Sequence, residues 1–222
     1  MLTLGIETAT ATCAVALLDG SSCLTEAALH LPRSHGRRLA PLIQEALAHA
    51  GRSPEDIGLV AVSIGPGSYT GLRIGLGTAK GLALSTGADL VGVSTLDALA
   101  EAAGAPDLPL VAVLPSRRGE VYAARSRAPG GPLGNPVALA LSEADAWVPK
   151  GAVAVTGPGA SRLVEAVPSR TWHRLGAGPN AVAVVRAGQR LVDARGPDDP
   201  ASLEPAYLKP VATSQPRAIF GP

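Results

Sequence analysis

The sequence predicts an α/β fold of two related halves, each with a mixed sheet and crossover helices. Three observations carry that reading. Short apolar runs of about five residues alternate with longer segments of helical periodicity, the pattern of strands joined by helices. Three strand-like runs open the chain before any helix, so part of the sheet is antiparallel. An apolar run also leads twice through Gly-Pro-Gly into a helix, at Gly65-Pro66-Gly67 and at Gly157-Pro158-Gly159. The likeness of the halves is architectural, with no residue-by-residue repeat. A boundary between Gly104 and Pro109 divides the chain into an N-terminal lobe, 1–104, and a C-terminal lobe, 105–222, that includes a proline-rich tail.

The elements follow in order. Residues 2–6, 12–18 and 23–29 read as strands, with a Thr- and Ala-rich turn at 7–11. Pairing around Asp19-Gly20-Ser21-Ser22 sets Leu18 opposite Cys23 and Cys13 opposite Ala28. The two sulfurs then lie on the order of 16 Å apart, too far for a disulfide. Leu39, Leu42, Ile43, Ala46, Leu47 and Ala50 recur at helical spacing, and Pro41 must fall in the first turn or kink that helix. Residues 59–64 form a buried strand. The helix after Gly65-Pro66-Gly67 runs over 70–87, capped by Ser68 or Thr70. A strand at 89–93 precedes a helix capped by Ser94, with Asp97 in capping-box position. In the second half, 110–114 and 120–125 form a hairpin, 128–136 a loop, and 137–141 and 152–156 strands. Helices follow over 160–167 and 180–194. From Gly196 a proline-rich stretch wraps the surface or is partly disordered.

Composition bounds the function. The 222 residues are 46% hydrophobic but only 3% aromatic, so the core is built from Ala, Val, Leu and Ile. A formal net charge of +1 argues against a strongly electrostatic nucleic-acid binder. Arg33, Arg37 and Arg38, and Arg117 and Arg118, are the local basic clusters, and such pairs are more often solvated surface than binding sites. No apolar run reaches the roughly 18 residues that span a bilayer. Glu7 interrupts the first apolar segment and no basic region precedes it, so no signal peptide is expected. With two cysteines only, a cytoplasmic location is expected.

A strand, a Gly-rich turn and a helix N-terminus together can hold an anion, because the first N–H groups of a helix lack partners. Yet the spacing from Gly65 to Gly71 matches neither a Walker motif nor a dinucleotide fingerprint. Gly71, Gly75, Gly77 and Gly81 each cost the helix about 1 kcal/mol relative to alanine. A close neighbour must compensate, either the chain's own sheet or another subunit. His30, His35, His49 and His173 include no i, i+4 pair, so no metal site is expected. In Gly67-Ser68-Tyr69-Thr70-Gly71 the second glycine stands one place too late after Ser68 for a nucleophile elbow. Glu7 is the one carboxylate in the first turn, where it either orients a metal-bound water or caps the turn through backbone N–H groups. With no other ligand in view, capping is the simpler role.

Residues 4–10 (LGIETAT) and 64–73 (IGPGSYTGLR) resemble the TsaB family, as do Arg117-Arg118-Gly119-Glu120-Val121-Tyr122 and Pro205-Ala206-Tyr207-Leu208-Lys209. The resemblance implies a two-lobed actin/Hsp70-like (ASKHA) fold. It implies a non-catalytic scaffold subunit of the complex that transfers a threonylcarbamoyl group to N6 of the adenosine 3′ of the anticodon, in tRNAs reading A-starting codons. The implied partners are a TsaD-like catalytic subunit, a TsaE-like ATPase and, when the chain is alone, a second copy. Transfer RNA enters only as the substrate of the complex, and no membrane is involved. No cofactor of its own is implied, with a nucleotide at the partner interface left open.

The resemblance further places the partner surface on the first two helices, at Leu39, Leu42, Ile43, Leu47, Tyr69, Thr70, Arg73, Ile74, Gly75, Thr78, Gly81 and Leu82. On that basis, leucine at Gly75 or Gly81 is expected to weaken association and leave the monomer folded. Glu7, Thr8, Gly65, Gly67 and Ser68 would form a vestigial nucleotide loop. Glu7 stands where the family usually has Asp, which weakens the case for nucleotide binding by this chain alone. The alternative readings are an independent metallopeptidase and an ATP-dependent phosphotransferase of the same fold.

Overall fold

The computed structural model describes residues 1–30, 35–176 and 178–209. Arg33 of the first basic cluster therefore lies outside the described residues, while Arg37 and Arg38 stand exposed.

The first sheet holds β1 (Leu2–Glu7), β2 (Thr12–Asp19), β3 (Ser22–His30), β4 (Ile57–Gly65) and β5 (Asp89–Ser94), in the order β3-β2-β1-β4-β5. Its helices are α1 (His35–His49), α2 (Tyr69–Thr86) and α3 (Thr95–Ala103). The second sheet holds β6 (Leu110–Pro115), β7 (Glu120–Arg125), β8 (Val137–Ala140), β9 (Ala152–Thr156) and β10 (Thr171–Leu175), in the order β10-β9-β6-β7-β8. Short α4 (Ala144–Trp147), α5 (Ala160–Ala166) and long α6 (Ala181–Arg195) complete the chain. In each sheet the first three strands form an antiparallel meander, and the fourth and fifth add in parallel. The two sheets therefore share one topology strand for strand, and Gly-Pro-Gly follows the fourth strand of each.

β1 is buried on both faces, and its alternation decides what covers each. Leu4 and Ile6 join Leu39, Leu42, Ile43, Leu47 and Leu76 beneath α1 and α2. The opposite face of the sheet presents Ala14, Ala16 and Leu18 of the neighbouring β2 to Ala181 and Val185 of α6. Gly5 marks how closely that helix rides, since a Cβ there would stand 2.4 Å from the Ala181 carbonyl oxygen. By chain order α6 belongs to the second lobe as divided at residue 104. Its apolar stripe packs instead on the first sheet, also meeting Leu59, Ala61, Val91 and Val93.

The stretch from Gly196 returns over the first lobe. Asp198 N–H donates to the Leu90 carbonyl at 2.7 Å, and Gly92 N–H donates to the Asp198 carboxylate at 2.8 Å, closing the free edge of β5. Leu203 packs on the main core, and Ala206 N–H donates to the Ile64 carbonyl at 2.7 Å. Lys209 then pairs with Glu120 of β7 at 2.5 Å, so this segment ties the second sheet to the first.

Four local expectations need correction. Leu18 does pair with Cys23, but a bulge between Leu17 and Leu18 sets Cys13 opposite Leu29, not Ala28. Both cysteines are free, Cys13 buried and Cys23 exposed. Pro41 lies well inside α1, which begins earlier than the apolar spacing suggests. β10 and α4 have no counterpart in the sequence reading. β10 is a mostly exposed edge strand, TWHRL, without the apolar alternation that marks a strand, and α4 is a single turn.

Candidate functional site

β4 delivers the chain to Gly65, whose φ of +121° favours glycine. Ser68 then caps α2, its Oγ accepting from Gly71 N–H at 3.2 Å. What lies against this helix start is the β1–β2 turn of the same lobe. Ser68 N–H donates to the Ala9 carbonyl at 2.7 Å, and Thr8 Oγ1 donates to the Gly71 carbonyl at 2.9 Å. A Cβ at Gly67 would sit 2.3 Å from the Ala9 oxygen, at Gly71 2.0 Å from the Thr8 oxygen, and at Gly75 2.2 Å from Thr8 Oγ1. Gly67, Gly71 and Gly75 thus form a seat for residues 8–9, and the close neighbour that the helix requires is the chain's own turn.

Glu7 holds that turn from below. It is fully buried, accepting from Ala9 N–H at 2.7 Å on Oε1 and from the Ser63 hydroxyl on Oε2. Burial pushes its pKa up to about 7, against the lowering effect of those hydrogen bonds. Glu7 therefore caps the turn. Glu7, Thr8 and Gly65 are all sealed from solvent, and only Gly67 and Ser68 of the expected nucleotide loop reach an open surface.

The glycines on the other side of α2 behave differently. Gly77 and Gly81 are exposed, with no atom within 4 Å of a Cβ built on either. Leu84, one turn on, is 76% exposed. At the N-terminal end of the same face, Arg73 Nη1 donates to the Tyr69 hydroxyl at 2.7 Å, and the Tyr69 ring lies 5.1 Å from that of Tyr207. The expected partner surface thus divides. Leu39, Leu42, Ile43 and Leu47 are 5% exposed or less, and Gly75 is sealed by Thr8, so these five belong to the monomer core. Their helical spacing reported the inward face of α1, where they meet β1. Tyr69, Thr70, Arg73 and Gly81 are exposed; Ile74, Thr78 and Leu82 are half-buried at the margin.

A cleft of about 1340 Å³ separates the lobes. Residues 9–12, Gly67 and Ser68 line one wall, and Leu114, Ser116, Arg117, Tyr122, Gly157 and Arg174 the other. His30 and His35 line it too and flank Thr12. His30 Nδ1 lies 3.3 Å from its hydroxyl, and His35 Nε2 lies 3.3 Å from its carbonyl oxygen. Among the described residues no three His, Cys, Asp or Glu side chains cluster closely enough to hold a metal ion. Sequence reasoning missed the second wall, because Arg174 lies on the unrecognised β10. The repeated Gly-Pro-Gly was the available signal for it.

Two sheets of like topology facing each other across a cleft define a two-lobed α/β protein of the actin/Hsp70-like fold. The hexokinase of the ROK family from Thermus thermophilus shares that fold at a TM-score of 0.51 and 14% identity, over 87% of this chain and all of that one. YeaZ from Pseudomonas aeruginosa is much nearer, with a TM-score of 0.77 and 26% identity over 93% of this chain and 99% of that one. The family model for TsaD, tRNA N6-adenosine threonylcarbamoyltransferase, matches residues 30–146. The tRNA threonylcarbamoyladenosine biosynthesis protein TsaB of Escherichia coli K12 is 41% identical over 124 residues, 55% of this chain and 53% of that protein. The matched stretch spans about half the length of the curated relatives. This chain belongs to the TsaD family and, within it, to the TsaB/YeaZ group.

Proposed function

We propose that this chain is a non-catalytic subunit of the machinery that makes N6-threonylcarbamoyladenosine in tRNA, and that it docks a TsaD-like catalytic subunit. The observation that carries the reading is the likeness to YeaZ across nearly the whole of both chains, joined to the 41% identity with TsaB. The docking surface is the outer face of α2, from Tyr69 and Arg73 through Gly77 and Gly81 to Leu84. Exposed glycines let a second backbone approach closely, and Leu84 supplies apolar area to bury. Alone, the chain forms a homodimer on the same face, and a TsaE-like ATPase joins the complex with the catalytic subunit. Transfer RNA is met as substrate of the assembly, in the cytoplasm. The lack of a metal-binding cluster among the described residues offers nothing to the metallopeptidase alternative.

Reconstitution tests this. Transfer RNA, ATP, threonine and bicarbonate are combined with the partner proteins, with and without this chain, and modified adenosine is counted. Modification should depend on the chain. Equal yield without it overturns the reading.

A further inference from the structure

The C-terminal stretch brings to the outer side of α2 a side chain that the helix does not carry. This strap, residues 196–209, is pinned on both sides of Tyr207. Before it, Leu203 packs on the main core and Ala206 N–H donates to the Ile64 carbonyl at 2.7 Å. After it, Lys209 pairs with Glu120 at 2.5 Å. Tyr207 is thereby held beside the N-terminal end of α2, its ring centroid 5.1 Å from that of Tyr69. Arg73 completes the group. Its Nη1 donates to the Tyr69 hydroxyl at 2.7 Å, and its guanidinium carbon lies 5.4 Å from the centre of the Tyr69 ring.

The group is held in place yet left open. Tyr69 and Tyr207 are 40% and 42% exposed. Five large hydrophobic or aromatic side chains are exposed among the described residues, and Tyr69, Leu84 and Tyr207 are three of them. Apolar surface gathered on one side marks an interaction site, and Tyr and Arg are enriched where binding energy concentrates. The charge is one-sided as well. Between Tyr69 and Thr86, α2 carries Arg73 and Lys80 and no acidic residue. Neither cation has an ion-pair partner among the described residues. The strap's own carboxylate, Glu204, acts electrostatically on Tyr207 but forms no ion pair with Arg73. A second copy is the poorer occupant, because α2 laid on α2 sets like charges against each other.

We infer that Tyr69, Arg73 and Tyr207 form one anchor that receives an acidic side chain of the TsaD-like partner, so that the strap is a working part of the docking face. The inference rests on the docking reading above and adds to it an element outside α2 and a sign of charge. A carboxylate accepts from the guanidinium N–H donors that Tyr69 leaves free. The two tyrosine rings exclude water from that contact and so strengthen it. Because the strap is fixed in the chain alone, little ordering is required when the partner arrives.

Calorimetry of the full chain against the TsaD-like subunit tests it, over a series of salt concentrations. Docking of the parent should weaken as salt rises, since an ion pair is screened. Tyr207→Ala and Arg73→Gln should each weaken docking at least about tenfold, with circular dichroism of the free chain unchanged. Tyr207→Phe, which keeps the ring, should dock as the parent does. Arg73→Gln should also flatten the salt dependence, which a merely structural role would leave alone. A parent that fails to dock overturns the docking reading and this inference together. A parent that docks while Tyr207→Ala docks equally well, or while Arg73→Gln keeps the parent's salt dependence, overturns this inference alone. Loss confined to self-association, measured by sedimentation, would assign the anchor to a second copy and overturn it too.

Discussion

Alanine at two glycines of one helix should move stability in opposite directions. Gly75 and Gly81 are both interior to α2, so each replacement gains about 1 kcal/mol of helix propensity. At Gly81 nothing stands within 4 Å of the new methyl, so the gain is retained in full. At Gly75 the methyl would lie 2.2 Å from Thr8 Oγ1, with Thr8 Cβ at 3.4 Å. Thr8 must move, and its hydroxyl also donates to the Gly71 carbonyl at 2.9 Å. Overpacking costs about 1–3 kcal/mol, and the broken hydrogen bond about 1 kcal/mol more. Net of propensity, Gly75→Ala should lose about 2 kcal/mol. In a chain of this size 1 kcal/mol moves the melting temperature by about 2–4 °C. Gly75→Ala should therefore melt about 4–8 °C lower, and Gly81→Ala about 2–4 °C higher, at a concentration that keeps the chain monomeric. Urea titration should give the same signs. Shifts in the same direction for both variants would refute the assignment of an inward and an outward set of glycines. Leucine at Gly75 should accordingly unfold the monomer, contrary to the expectation from sequence.

Other outcomes follow from the same geometry. Gly81→Leu and Leu84→Asp should each weaken self-association and TsaD pull-down at least about tenfold, with the monomer's circular dichroism unchanged; unaltered sedimentation in both removes the docking face. Glu7 titrates near 4.5 when unfolded and about 7 when folded, so the folded state binds the extra proton. Its contribution is fully present below about pH 4.5 and is lost as pH rises through 7, on the order of 3 kcal/mol. Glu7→Gln should flatten that slope in urea titrations across the interval, and an unchanged slope would exclude Glu7 as its source. Lys209→Ala and Glu120→Gln should show a coupling of about 0.5–1 kcal/mol in a double-mutant cycle, since both side chains are partly exposed; additive losses would mean the strap carries no energy.

Much of the fold was legible because periodicity reports burial. The strands of the first sheet and the stripes of α1 and α6 stand out where one face is apolar. β10 did not, since an edge strand with exposed residues has little pattern to read. The repeated Gly-Pro-Gly signalled two like halves, although the partner of α6 crosses that division. Spacing alone names the inner face of a helix. Leu39, Leu42, Ile43 and Leu47, placed on the partner surface by the family resemblance, are that inner face of α1; on α2, Tyr69, Arg73 and Gly81 of the expected surface do face outward, and Gly77 and Leu84 emerged only from the packing. The second wall of the cleft was hidden for another reason: Arg117 and Arg174 are 57 positions apart, and only the fold places them on one cleft.

The seating of α6 on the first sheet has a consequence for synthesis on the ribosome. One face of that sheet is covered by α1 and α2 as soon as β5 has been made. The other face, carrying Ala14, Ala16, Leu18, Ala61 and Val91, stays uncovered until Arg195 has been made. About 100 further residues separate Ser94, the end of β5, from Arg195, on the order of ten seconds at ordinary elongation rates. Through that interval the nascent chain displays a finished apolar surface without its lid, which makes it a client for chaperones. A release at residue 104 should yield an aggregating fragment and not a free-standing lobe.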